Sequence, residues 1–414
     1  MSGDQNPVVS VIVPARNEEA CLALCLESLV AQTGINFEVI VVDDASTDRT
    51  GEIARAFERE TRKGTSSTRA DRGLTPDYNG TAGSRALPVR GERSISKNCL
   101  AVILISAPTL PDNWTGKNNA MSAGAKIAKG KWLLFTDADT VHKPDSLARA
   151  VAEAEQHRAA LLSYSPEQEV RTFWEKAVMP VIFAELAAAY PPKKVNDPES
   201  PIAAANGQYL MISREAYDAV GGHTKIAADL LEDVAMARLI KSSGRKIFFR
   251  YGGDAVRTRM YRSWPQMKEG WTKNLALLFT HRIRIIARYS FESLQLFLLV
   301  TAAIYILLFS VPEVPGQSVL IPHYPIPDRY VPLFKWWVPV CVVLLLGRLA
   351  LFSVRRVLKA NFRLKSFLIS MLGPVVFAYL LFRSVVAHRN GAVGWKGRTY
   401  REEWQPGIAQ LSLK

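Results

Sequence analysis

Lys131-Trp132-Leu133-Leu134-Phe135-Thr136-Asp137-Ala138-Asp139 decides the fold. An unbroken apolar run, Trp132 to Phe135, ends in two carboxylates. Such a run reads as a strand buried on both faces, the habit of parallel sheets covered by helices. Working back from it, Val8 to Val13 is a second apolar run, ended by Pro14. Glu18 to Gln32 carries Leu22, Cys25, Leu26, Leu29 and Val30 on one helical face. Glu38 to Val42 is the next strand, and Ser46 or Thr47 can cap a helix through Ala54 to Glu60. Ala101 to Ile105 reads as a strand and Asn118 to Ala128 as a helix. Pro144 and Asp145 open another helix beyond the acidic pair. Strands and helices in alternation imply an α/β domain with a mostly parallel, doubly wound sheet. Ligands of such sheets sit beyond the carboxyl ends of the strands, where Asp137 and Asp139 fall.

The chain has 414 residues, room for one large domain or two ordinary ones, and 48% of them are hydrophobic. It divides into a catalytic domain over 1–280 and a membrane region over 281–414. Residues 62–98 lack periodicity and are rich in Gly, Ser, Thr, Arg and Pro. They read as a flexible insertion: a lid or lipid-binding loop, or more plainly a dispensable excursion. Phe173 to Tyr190 is apolar but carries Glu175, Lys176, Glu185 and a central Pro180. It reads either as an amphipathic helix lying in a membrane interface or as an ordinary domain helix. Residues 294–311, 331–352 and 367–387 each approach the roughly 20 residues that cross a bilayer. Tyr330, Trp336 and Trp337 suit its interface.

Charge points the same way. The formal net charge is +14, and from His281 onward 17 Lys and Arg face only 5 Asp and Glu. Basic residues packed between apolar segments match an anionic membrane surface rather than nucleic acid. The basic stretches His281–Arg288 and Arg355–Lys365 put the catalytic domain and the second loop in the cytoplasm of a multi-pass cell-membrane protein. Three full spans would leave the tail outside, yet Arg389, Lys396, Arg398 and Arg401 favour inside; a re-entrant segment is one way to reconcile them. The N-terminus has neither the basic nor the apolar region of a signal peptide. Cys21, Cys25, Cys99 and Cys341 form no CxxC pair or Cys/His cluster, so neither structural zinc nor a disulfide framework is expected.

Four clusters carry candidate chemistry. Asp43-Asp44 ends the second strand, where carboxylates accept hydrogen bonds from a base or ribose; alone, such a pair is more often a polar strand end. Asp137 and Asp139 lie on one side of an extended segment and can approach one ion. Hard carboxylate oxygens suit Mg²⁺ or Mn²⁺, which bridges a diphosphate. Glu232-Asp233 precedes a helix; a capping role is the bland reading, and a general base taking a proton from an acceptor hydroxyl is the functional one. Trp114-Thr115-Gly116-Lys117-Asn118-Asn119 offers Lys117 to phosphate, uracil or Asp44 at a helix start. No GxxxxGK[ST] is present, so this is not a P-loop. Arg257, Arg259, Arg262 and Trp264 precede Trp271 and Lys273, either as part of the site or as a patch beside the membrane.

In this order SVIVPARNEE, VVDDASTD, TDAD and LLEDVAMA resemble family 2 glycosyltransferases of the GT-A fold. WTGKNNA, TDADTVHKPDSL, NGQYLMISREAYDAVGGH, EDVAMAR and RMYRSWPQMKEGWTKN are similar to hopene-associated glycosyltransferases; ceramide glucosyltransferases and carotenoid-pathway enzymes are related. The resemblance covers nearly the whole chain except 62–98. It implies nucleotide-sugar contacts at Pro14, Asp43, Asp44, Lys117 and Asp137, metal ligands at Asp137 and Asp139, and a catalytic base at Asp233 beside Glu232. It also implies an inverting single displacement. The chain departs from the family at (Q/R)xxRW: with Trp271 as the Trp, Gly270 stands for the Arg and Met267 for the Gln or Arg. That departure argues against a processive polysaccharide synthase and leaves Arg259 or Lys273 as candidate diphosphate contacts.

The expected activity is transfer of one sugar from a nucleotide diphosphate donor, UDP-linked by expectation, to a hydroxyl of a membrane lipid, with a hopanoid as one acceptor class. The alternatives are a polyprenyl-phosphate glycosyltransferase, a polysaccharide synthase and a non-catalytic nucleotide-sugar sensor.

Overall fold

The computed structural model describes residues 6–64, 95–309, 331–363, 366–391 and 393–400. Most of the expected 62–98 insertion, the loop between the first two apolar segments and the tail from 401 lie outside them. The chain forms two compact units: Met1–Glu169 with Tyr190–Met260, and Val170–Ala189 with Tyr261–Lys414.

The elements run β1 (Val9–Ala15), α1 (Leu22–Val30), β2 (Phe37–Asp43), α2 (Thr50–Gly64), β3 (Cys99–Ser106), α3 (Gly116–Ile127), β4 (Trp132–Phe135), β5 (Thr140–His142) and α4 (Ser146–His157). Then come β6 (Leu161–Ser165), β7 (Glu167–Gln168), α5 (Phe173–Ala189), α6 (Pro192–Val195), β8 (Leu210–Ser213), α7 (Arg214–Ala219) and a 3₁₀ turn (Gly222–Ile226). The chain continues through α8 (Glu232–Ser242), β9 (Ile247–Tyr251), β10 (Val256–Thr258), α9 (Trp264–Leu278), α10 (Arg282–Phe309), α11 (Val331–Lys359), α12 (Phe367–Ser370), α13 (Gly373–Arg389), β11 (Val393–Trp395) and β12 (Arg398–Tyr400).

The first unit is built on a seven-stranded sheet in the order β3-β2-β1-β4-β8-β6-β9. Only β8 runs against its neighbours. The β1 strand is apolar throughout because both its faces are covered. Val9, Val11 and Val13 pack with Leu22, Leu26 and Leu29 of α1, while Ile12 on the other face packs with Met121 of α3 and Phe135. A second, three-stranded sheet has the order β5-β10-β7.

Helix α1 begins at Leu22, later than the expected Glu18. The intervening backbone is held as a loop: Asn17 N–H donates to Ser46 Oγ (3.0 Å), Glu18 N–H to Thr50 Oγ1 (2.7 Å) and Glu19 N–H to Asp48 Oδ2 (3.1 Å). Ser46 therefore serves the loop after β1 instead of capping α2. The first turn of α2 is met by Asp48, whose Oδ1 accepts Thr50 N–H at 3.0 Å.

In the second unit α5 is a core helix. Ala177, Val178, Met179, Val181 and Ile182 are all buried, so its middle turns are covered all round. A helix apolar on every side is an interior helix. Of the two readings of 173–190, this burial favours the ordinary domain helix; Phe173 and Trp174 in the first turn are its exposed aromatics. The Tyr289 hydroxyl donates to Glu185 Oε1 at 2.7 Å, joining α10 to α5. Arg356 of α11 pairs with Glu292 of α10. On α13, Ser384 Oγ accepts from Ala276 N–H (2.8 Å) and donates to Thr272 O (2.6 Å), tying that helix to α9.

Among the described residues one helix is long and apolar enough to cross a membrane, Arg282–Ile304 within α10. Of the other two expected spans, 331–352 lies within α11 and carries Arg348, and 367–387 is divided between α12 and a 17-residue α13.

Candidate active site

The carboxyl ends of β1, β2 and β4 open at one edge of the sheet, because the three strands are parallel neighbours. Pro14 faces Val42 across β1 and β2, and Ile12 faces Phe135 across β1 and β4. Pro14 and Asp43 thus end their strands at the level where β4 runs out toward Asp137. Asp44 N–H donates to Ala15 O (2.8 Å) and Arg16 Nη1 to Asp44 O (2.7 Å), fastening the two strand ends. Asp43 Oδ1 accepts Ser46 N–H at 3.0 Å, which orients this carboxylate in its turn.

From Thr136 to Thr140 burial alternates: Thr136, Ala138 and Thr140 are buried, while Asp137 and Asp139 are partly exposed. Both carboxylates therefore share the open side. Beneath them Thr136 donates to Gln208 O at 2.7 Å and lies 3.1 Å from His142 Nε2. With the hydroxyl proton spent on Gln208, His142 donates from Nε2. Burial pushes its pKa down to about 3, so it is neutral.

Lys117 joins the clusters. Thr115 Oγ1 accepts Asn118 N–H at 3.2 Å and starts α3, which lifts Lys117 over the strand ends. Its ammonium lies 2.7 Å from Asp137 Oδ1 and 2.6 Å from Glu232 Oε1. Burial alone would lower the Lys117 pKa, but Asp137 and Glu232 together hold it well above the ordinary lysine value. Lys117 thus bridges the acidic pair of β4 to the acidic start of α8, protein partners that the sequence did not point to. Asn118 is fully buried and donates to Ile226 O (2.7 Å), Ala227 O (3.0 Å) and Asp229 O (3.1 Å), positioning the segment that leads into α8.

Asp233 accepts Gly207 N–H on Oδ2 and Val234 N–H on Oδ1, each at 2.8 Å. Desolvation, then the neighbouring Glu232 charge, push its pKa up to about 6 despite Lys117 and these two bonds. A carboxylate poised near neutrality is suited to taking a proton.

Two contributors escaped sequence reasoning. A Cβ on Gly207 would lie 3.1 Å from Glu232 Oε1 and 3.2 Å from Lys117 Nζ, so any side chain here would press on both ends of the ion pair. His223 is fully buried, packs edge-on to Phe135 at 4.7 Å and feels the charges of Glu232 and Lys117. Tyr217 Oη accepts His223 N–H (3.2 Å) and lies 2.8 Å from Nδ1, which sets the ring. Asn206-Gly207-Gln208 and Gly221-Gly222-His223 were visible as glycine-containing polar runs, but nothing in their spacing tied them to Glu232.

The candidate diphosphate contacts belong to different units. Arg257 pairs with Glu169 at 3.1 Å, and Arg259 follows β10 in the first unit. Lys273 belongs to the second unit, its ammonium 5.2 Å from the Trp395 ring centroid. Trp271 is buried there against Tyr261 and Phe183. A Cβ at Gly270 would lie 2.5 Å from Tyr261 Cε1, so an arginine there would have to displace the Tyr261 ring.

Residues 10–73 and 108–221 match the family model described as glycosyl transferase family 2. Those segments carry β1, β2, Lys117, Asp137 and the Gly207 loop. Glu232 and Asp233 lie beyond the family 2 match. Among curated proteins, the chain is similar to a 4,4'-diaponeurosporenoate glycosyltransferase of Staphylococcus haemolyticus, 26% identical over 66% of this chain and 63% of that protein. The protein of the same name from Staphylococcus aureus is 25% identical over 65% of this chain and 60% of its own length. The match thus spans about six-tenths of the length of these relatives. A solved mannosyltransferase from Pyrobaculum calidifontis, in complex with GDP-Man and Mn²⁺, is 19% identical and covers 93% of this chain and 87% of its own, with TM-score 0.43.

Proposed function

We propose that the protein transfers one sugar from a nucleotide diphosphate donor, UDP-linked in our reading, to an apolar lipid acceptor at a cytoplasmic membrane surface. The observation that carries this is the Asp137–Lys117–Glu232 bridge with Asp233 beside it. It sets a candidate ion-binding carboxylate and a near-neutral base on two sides of one lysine.

Pro14, Asp43 and Asp44 are assigned to the nucleoside, and Lys117 and Asp137 to the diphosphate. Asp137 and Asp139 fit Mg²⁺ or Mn²⁺. Both offer hard oxygens on the open side of the strand end, and such ions take one or two carboxylates with substrate phosphates completing the shell. A bound divalent ion would offset the charge on the departing diphosphate.

Asp233 takes the acceptor hydroxyl proton as that oxygen forms its bond to the anomeric carbon. The bond from that carbon to the diphosphate oxygen breaks, and the nucleoside diphosphate leaves with the electron pair. The configuration inverts. Lys117 keeps Glu232 engaged, so Asp233 is the member of the pair left to accept the proton.

The names of the relatives suggest a second acceptor class. A carboxylic acid such as diaponeurosporenoate is ionised at neutral pH and needs no base. Membranes carrying the protein, supplied with UDP-sugars, Mn²⁺ and a lipid extract, distinguish the readings. With a hydroxyl acceptor, Asp233→Asn abolishes lipid-dependent product while donor binding persists. Full activity of the Asn variant would refute the base assignment and favour a carboxylate or phosphate acceptor. Donor binding without product on any lipid would favour a sensor, and polymer product a synthase.

A further inference from the structure

One short turn, Asn206-Gly207-Gln208, touches both acidic ends of the site. It leads into β8, the antiparallel strand between β4 and β6. On one side Gly207 N–H donates to Asp233 Oδ2 at 2.8 Å. On the other, Gln208 reaches the Asp137-Ala138-Asp139 segment at both of its ends. At the near end Thr136 Oγ1 donates to Gln208 O at 2.7 Å. At the far end Gln208 Nε2 donates to Thr258 Oγ1 at 3.3 Å, and Thr258 Oγ1 donates in turn to Asp139 O at 3.2 Å. Gln168 Nε2 donates to Gln208 Oε1 at 3.4 Å, which sets the way that amide faces.

These links lie away from water. Thr136, His142, Gln208 and Thr258 are all buried. A buried polar group that loses its partner finds no replacement, so such a network holds one arrangement. The donors run in one direction and each hydroxyl proton is used once: His142 Nε2 to Thr136, Thr136 to Gln208 O, Gln208 to Thr258, Thr258 to Asp139 O. The frame around them is fixed as well. Thr258 is paired with Thr140 of β5 on one side and Gln168 of β7 on the other. Asn206 N–H donates to Ser163 Oγ of β6 at 2.8 Å, and Asn206 Oδ1 accepts Gln208 N–H at 3.0 Å. All of these residues belong to the first unit.

We propose that Gln208 and Thr258 are positioning residues for the ion site, and that the 206–208 turn couples that site to the base. This rests on the reading of Asp137 and Asp139 as ion ligands and of Asp233 as the base. The two carboxylates hang from a segment held at each end, so the holding bonds set their spacing and direction. Groups that bond a metal ligand from behind are worth about 10–100-fold in ion affinity. A displacement of the segment passes through Gln208 to Gly207 and so to Asp233. Such coupling is reciprocal: if an ion at Asp137 and Asp139 places the base, the bond to the base strengthens ion binding by the same factor.

The test measures Mn²⁺ binding to the full-length protein in detergent with saturating UDP, from the paramagnetic resonance signal of free Mn²⁺. Thr258→Val removes the hydroxyl and keeps the shape, whereas Thr258→Ser keeps the hydroxyl. The Val variant should bind Mn²⁺ about tenfold more weakly and the Ser variant like wild type. Gln208→Met should repeat the Val result by removing the amide. UDP affinity without metal, by calorimetry, should be the same in all of them. The coupling is measured at Asp233. Asp233→Asn keeps an acceptor for Gly207 N–H and Asp233→Ala removes it, so the Ala variant should bind Mn²⁺ severalfold more weakly than the Asn variant. Adding Thr258→Val should shrink that difference, because both changes cut the same chain of bonds. Wild-type Mn²⁺ affinity in the Val and Met variants overturns the positioning role. A matching loss of metal-free UDP affinity overturns it too, in favour of a general structural role. Equal affinity of the Ala and Asn variants overturns the coupling. A wild-type protein that binds no Mn²⁺ in the presence of UDP sinks the ion assignment itself, an outcome distinct from equal binding by wild type and variants.

Discussion

Lys117→Met removes the cation from a bridge whose two anions differ in burial. The Glu232 side chain is 7% exposed and that of Asp137 30%, so Glu232 bears most of the loss. Two charges about 4 Å apart interact by about 4 kcal/mol at an effective dielectric of 20. Stranding one member of a buried pair costs about 3–5 kcal/mol. Lys117 is itself 30% exposed, so solvent screening trims the expectation to about 3 kcal/mol. For a unit of this size that is a fall in Tm of roughly 6–12 °C, read by thermal unfolding of the full-length protein in detergent. Removing both charges should cost less than removing the cation alone, so Lys117→Met with Glu232→Gln should recover part of the lost Tm. The pH profile should move as well. Lys117 lowers and Glu232 raises the Asp233 pKa, so the low-pH limb of kcat/KM shifts upward in Lys117→Met and downward in Glu232→Gln. A Tm change near zero for Lys117→Met, or a double variant less stable than the single, would refute the bridge as the element that organises the site.

With wild type, kcat/KM should rise with pH through about 6 on a single ionisation, because Asp233 must lose its proton to act. The linked stability runs the other way: a carboxyl raised above its unfolded value contributes stability at low pH that is lost between roughly pH 4 and 6, measurable as a falling Tm. Asp233→Asn should lower turnover by about 10²–10⁴-fold, the usual worth of a general base, with donor affinity unchanged by calorimetry. Chelation of divalent ions should abolish transfer and Mn²⁺ or Mg²⁺ restore it, and Asp139→Asn should raise the ion concentration needed for half-maximal rate. Gly270→Ala, whose Cβ would press on the Tyr261 ring, should destabilise the second unit by about 1–3 kcal/mol, seen as earlier proteolysis of that unit.

Period and polarity exposed the central strands because β1, β2 and β4 are covered on both faces and so read as unbroken apolar runs. The antiparallel strand β8 was not legible. Leu210–Ser213 is four residues long and gains its place only by pairing with β4 on one side and β6 on the other. The start of α1 was misplaced because the loop after β1 is set by bonds to Ser46, Asp48 and Thr50, about thirty residues away. In the site, the acidic clusters announced themselves, being carboxylates at strand and helix ends. The Lys117 bridge did not, since Glu232 lies more than a hundred residues downstream and is brought in by the Asn118 clamp on 226–229. Helix α5 stayed open between two readings because scattered charges in an apolar run suggest two faces, yet Glu175 is buried and accepts the Arg171 backbone N–H at 2.5 Å.

The excursion of α5 out of the first unit has a consequence for how the chain is made. Translation delivers β1 through β7 first, then α5, and only afterwards β8, the strand that must slot between β4 and β6. The sheet therefore has a gap at its centre when the apolar helix of the other unit leaves the ribosome. Helix α5 must wait for α9 to α13, synthesised last, before its middle turns are covered. Neither unit can be excised as one uninterrupted stretch of gene. A truncation after β10 would still carry a naked apolar helix in its middle, and such a fragment is expected to aggregate or be captured by chaperones.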